Sequence, residues 1–235
     1  MENNEKKKSK KNRLHWLFIG LSVVLIIIAL LFHIPARYNP LKIAGDKKLV
    51  STYLTNEVLP ALYNGTQLGE PFDLTVTQDG VNDIIARSGW PKDFGRLNIS
   101  SAMVFFSPGR IELMGTVTLS GVDSAVVVAV SPQIDPQGLL NLKVAKVSVG
   151  AVNITPLAGV IVAGIYDKHS ESDPDGKNLK AKILASLLRG EPFEPVFKIY
   201  DKKVRLTNLS IGQNKLTTRL LPLVPAQAVP QPPLR

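Results

Sequence analysis

Residues Leu14 to Ile34 read LHWLFIGLSVVLIIIALLFHI and contain no charged side chain. Crossing a bilayer core takes roughly 20 apolar residues of α-helix. Lipid offers unpaired backbone groups no partner, so such a stretch is helical there. The sequence predicts a single membrane-spanning helix over 14–36. Lys6, Lys7, Lys8, Lys10, Lys11 and Arg13 precede it, against Glu2 and Glu5 alone. Basic flanks stay on the cytoplasmic side. Residues 1–13 then form a basic, disordered cytoplasmic tail, and everything after about Ala36 lies outside the cytoplasm. A cleaved signal peptide has an apolar core of about 7–15 residues and a small-residue cleavage site. This core is longer, and His33-Ile34-Pro35-Ala36 is a poor site. The segment reads as an uncleaved signal anchor of a single-pass cell-membrane protein.

The remainder divides into a juxtamembrane linker (37–46), one extracytoplasmic α+β domain (47–221) and a proline-rich, disordered tail (222–235). The formal net charge is +9, but much of the excess sits in the tail before the span, and no dense basic cluster follows. That distribution disfavours nucleic acid as a partner. With no cysteine, disulfides, thiolate catalysis and thiolate metal sites are excluded.

Local patterns set the expected elements. Asp46 caps a helix to about Leu62 that Pro60 ends or kinks, and Gly65 to Pro71 is a loop. Phe72, Leu74 and Val76 alternate as a strand, and Thr77 caps a short helix with Val81, Ile84 and Ile85 on its apolar face. From Leu97 to Gly150 the pattern is β. Ile111, Leu113, Val117 and Leu119 share the buried face, and Glu112, Met114, Thr116 and Thr118 the other. In the last strand Leu140, Leu142 and Val144 are in phase, then Val147 and Val149 take over. That one-residue shift predicts a β-bulge near Ala145, which bends the sheet. Pro156 to Tyr166 is an almost wholly apolar segment read as a short helix, followed by an acidic loop and a helix over Leu179 to Leu188 ended by Gly190. A last group of strands spans Phe197 to Leu220.

Catalytic chemistry is sparse. Two of the three histidines, His15 and His33, lie at the ends of the apolar stretch, and His169 stands alone in the acidic loop. There is no G-x-S-x-G elbow. Gly159 to Gly164 has P-loop glycine spacing without the following Lys-Ser/Thr. Asp79 and Asp83 are one helical turn apart, but helix N-terminal electrostatics explain them more simply. Asp167, Glu171, Asp173 and Asp175 do not follow an EF-hand order. The chain reads as non-enzymatic, with no cofactor or metal. A curved antiparallel sheet with helices packed on one face can instead enclose an apolar groove for acyl chains, and a solid core fits the same periodicity.

The order FDLTVTQDGVNDII, then GRIELMGTVTLSGVDSAVVVAVSPQIDPQGLLNLKVAKVSVG, then a short apolar segment and FKIYDKKVRLTNLSI resembles the YpmS-like anchored envelope proteins of Gram-positive bacteria. More distantly it is similar to tubular lipid-binding (TULIP-like) folds. Thr77, Val81, Asn82, Ile84 and Ile85 stand where that group has a threonine-capped helix bearing an asparagine beside a curved sheet. The resemblance covers about Lys47 to Leu221, rests on element order and hydrophobic pattern, and carries over no catalytic residue. It implies binding or transfer of membrane lipid or another amphiphile. The expected groove residues are Ile84, Ile85, Val160, Ile161, Ile165, Ile183 and Leu187. The alternative is a cell-envelope protein-interaction or scaffold module with a solid core and envelope proteins as partners.

Overall fold

The computed structural model describes residues 2–41, 50–94, 97–119, 121–156 and 179–223; along the first helix, side chains are described at His15 and from Leu17 onward. Helix α1 (Glu2–Leu31) includes the basic segment expected to be disordered. Among the described residues no helix is long and apolar enough to cross a membrane.

The rest is α+β, and its strands pair antiparallel throughout. They form two curled sheets where a single one is expected. A four-stranded sheet has the order β1-β10-β9-β8 and a six-stranded sheet the order β2-β3-β4-β5-β6-β7. The first contains β1 (Phe72–Thr77), β8 (Val196–Ile199), β9 (Lys202–Gly212) and β10 (Lys215–Leu223). The second contains β2 (Lys92–Phe94), β3 (Leu97–Ser107), β4 (Arg110–Leu119), β5 (Val122–Ile134), β6 (Leu140–Val149) and β7 (Val152–Asn153). Strand β10 runs past the expected domain end at Leu221. Pro222 is tolerated because β1 pairs only as far as Leu220, so no neighbour on that side needs its missing N–H.

The helix that leads into the first strand differs from expectation. Asp46 lies outside the described residues, and Ser51 caps instead, its hydroxyl accepting from Leu54 N–H at 3.2 Å. Pro60 does not end the helix. A π turn (Leu54–Val58) precedes it and leads into α2 (Leu59–Leu68), which carries the helix through the expected loop to Gly69. The wider turn relieves the clash between a proline ring and the carbonyl one turn earlier.

Helix α3 (Gln78–Ala86) starts as its sequence predicts, with the Thr77 hydroxyl accepting from Gly80 N–H at 3.2 Å. It then does the work of a strand. Beyond the short β2, the edge of β3 is closed by α3 side chains. Asn82 Nδ2 donates to the Val104 carbonyl at 2.9 Å, Val104 N–H donates to Asn82 Oδ1 at 2.7 Å, and Phe106 N–H donates to Gln78 Oε1 at 2.8 Å. One core cluster (Val104, Phe106, Ile211) joins α3 to both sheets. A second (Leu140, Phe193, Val204, Leu206, Leu220) joins the start of β6 to the four-stranded sheet.

Candidate apolar groove

Strands β4, β5 and β6 turn one face toward the four-stranded sheet, here the inner face. At the end nearest that sheet, inner residues are core: Val130 and Leu140 are buried. Farther along the same face the filling stops. Leu113 is 44% exposed, and its neighbours Val117, Val126, Val128, Val144 and Val147 are half-buried. The register pairs Leu113 with Val128 and Val128 with Val147, so these side chains form one continuous apolar row.

The outer face reverses the sequence expectation. Glu112 and Met114, assigned to the polar face, are buried at 7% and 2% exposure, as are Ala125, Val127 and Ala129 of β5. The cover comes from the linker. Tyr38 packs against Met103, Met114 and Val127, and Arg37 pairs with Glu112 and lies over the Phe105 ring. Alternation says which residues share a face, not which face another segment covers.

The bend comes from β6. Val128 pairs with Val147, Ala129 with Lys146, and Val130 with Val144, so Ala145 is the extra residue of a bulge at the predicted place. Helix α4 (Leu179–Arg189) lies along the free edge of this bent strand. Its Ser186 hydroxyl, wholly buried, accepts from Leu142 N–H at 2.9 Å. Farther on, the Thr155 hydroxyl accepts from Val147 N–H at 2.8 Å. Between these two attachments the helix and sheet stand apart around a cavity of about 490 Å³. Leu113, Val128, Val144 and Val147 line it from the sheet, Leu187 and Leu188 from α4, and Lys143 supplies a cation. Lys143, which also borders it, is exposed. The volume lies within the range of ligand pockets, and apolar walls with few polar groups are their usual composition.

Of the residues expected in a groove, Leu187 lines this cavity. Ile183 packs instead against the Leu140–Phe193 cluster and Ile85 against the Val104–Phe106 cluster; Ile84 is half-buried on α3. Val160, Ile161 and Ile165 lie outside the described residues. The sheet-borne lining was legible only as strand, because a half-covered Val has the same alternation as a covered one.

Asp83, one half of the spaced pair on α3, accepts from the Ser51 hydroxyl and from Arg87 Nε at 2.9 Å. The Ser51 hydrogen bond holds its carboxyl below the ordinary value, helped by Arg87 and opposed by burial. Among the described residues, no group of three or more His, Asp or Glu side chains is placed to hold a metal ion. The acidic loop of Asp167 to Asp175 lies outside them.

No family model matches the chain, and no curated protein matches it. The YpmS-like resemblance therefore gains no support from either. Among solved structures it is similar to a lipopolysaccharide binding protein, with 12% identity and a TM-score of 0.24, covering 81% of this chain and 52% of that one. The chain thus corresponds to about half the length of that structure, and a likeness so weak carries no argument about fold or ligand.

Proposed function

We propose that this chain is a membrane-anchored, extracytoplasmic, non-catalytic protein that binds or transfers a lipid or similar amphiphile through the groove under α4. The observation that carries the reading is Leu113, a large apolar side chain of a central strand. It is left 44% exposed toward a cavity of about 490 Å³ while its polar neighbour Glu112 is buried. A solid-core module would show the opposite order. An acyl chain entering such a space gains about 0.8 kcal/mol per methylene buried. Anchoring is supported by α1, whose side chains from Leu17 to Ile28 are exposed and, apart from Ser22, apolar; a helix of that kind is stable only inside lipid or protein.

The test is native mass spectrometry of the full chain, extracted from a lipid-containing host and exchanged into lipid-free detergent. Retained lipid is expected in the wild type and is lost in Leu113→Glu with the thermal transition preserved. A bare protein mass for the wild type would remove lipid carriage and favour the envelope docking module.

A further inference from the structure

The start of the expected linker is not a flexible tether. The last carbonyls of an α-helix lack partners within it; the Leu30 carbonyl accepts from His33 N–H in the closing turn at 3.3 Å and, from the domain, from Ala151 N–H in the β6–β7 turn at 2.8 Å. Gly150 lies beside it at φ +57°, and a Cβ built there would collide with the Leu30 and Leu31 carbonyls. Glycine is therefore required twice over, by backbone conformation and by the helix end pressed against it.

A few residues on, the chain is fastened again. Tyr38 N–H closes a turn on the Pro35 carbonyl at 2.8 Å. The Tyr38 hydroxyl then sits 2.8 Å from both Ser101 Oγ and Thr116 Oγ1 on the outer face of the six-stranded sheet. Arg37 pairs beside it with the buried Glu112. Two attachments on different elements, one at the turn and one at mid-sheet, fix the orientation of the sheet on α1.

They also fix where the groove lies. Val147 and Thr155 line it, and Val147 is three residues from Gly150 along an extended strand. At about 3.3 Å per residue the groove starts some 10 Å from the helix end. The apolar inner row continues in that direction through Val126 and Val149. We propose that this clamp holds the groove's entrance against the bilayer that contains α1. The groove then takes its lipid in cis, from the same membrane, and not from a second membrane or from solution. This rests on the lipid-binding reading above.

The test uses the full chain in nanodiscs with a phosphatidylglycerol carrying a photoreactive diazirine in its acyl chain. In one arm the probe is in the protein's own disc; in the other it is in separate, protein-free discs mixed in briefly before irradiation. The proposal predicts labelling of peptides containing Val144, Val147 or Leu187 in the first arm and several-fold less in the second. A variant without the mid-sheet attachment, Arg37→Ala with Tyr38→Phe, should lose part of the cis preference while labelling normally in probe-doped micelles; an unchanged preference overturns the part given to that attachment. Equal cis and trans labelling of the wild type overturns the clamp's role and leaves lipid binding standing. Absence of labelling from discs and micelles alike overturns both.

Discussion

Asn82 is the residue on which the joint between α3 and the six-stranded sheet most depends. Its amide satisfies the N–H and the carbonyl of Val104, itself 2% exposed. Asn82→Leu keeps the volume and orphans both groups. Each unsatisfied buried group costs about 1–3 kcal/mol, so urea unfolding should show a loss of about 2–6 kcal/mol. Asp83 gives a pH signature. Its folded carboxyl is held below the ordinary value by Ser51 first and then by Arg87. The stability it contributes is thus fully present above its unfolded pKa, about 3.9, and is lost as pH falls through the lower folded value. Acid titration of Asp83→Asn should show a shallower loss of stability below that pH than the wild type; superimposable curves would refute the linkage. Thr77 and Asn82 stood out in the sequence because a cap and a resemblance marked them. Ser51 did not, because its partner is on another helix.

At the scale of elements, the bulge in β6 makes a sharp case. Ala145 is the unpaired extra residue, so deleting it leaves Val144 inward, Lys146 outward and Val147 inward. The faces are kept and only the bend is removed. The deletion should fold with a thermal transition near that of the wild type, yet retain less lipid in native mass spectra because α4 then closes onto a flatter strand. Unchanged retention would show that the bend does not shape the groove. Ser186→Ala probes the other wall: Leu142 N–H loses its acceptor, a cost of about 1–3 kcal/mol, read as faster hydrogen exchange along α4 and the start of β6. The bulge was legible because a phase change is written in a single strand. The π turn before Pro60 was not, since a proline in an apolar helical pattern announces a break and gives no sign of how the break is relieved.

Over the whole molecule, the described residues form one α+β body whose outer sheet face is covered by the chain that leaves α1. A chain beginning at residue 39 lacks Arg37 and Tyr38, which leaves Glu112 without its cation and Met114 without its cover. Hydrogen exchange should then accelerate across β3, β4 and β5 relative to a chain beginning at residue 36; equal protection would mean that the cover adds nothing. The sequence by itself determined what is local: the apolar stretch from Leu14, the alternation of the strands, the Thr77 cap, the Gly190 stop and the bulge at Ala145. Each is a matter of period or of one residue's conformational preference, both readable within a few positions. Only the tertiary structure decided which face of the sheet is filled. Leu113 and Glu112 are neighbours on one strand, and their fates are opposite because Arg37 and Tyr38, far away in sequence, cover one side while α4 stands off the other. Burial is a property of what arrives from elsewhere in the chain, and no periodicity within β4 records it.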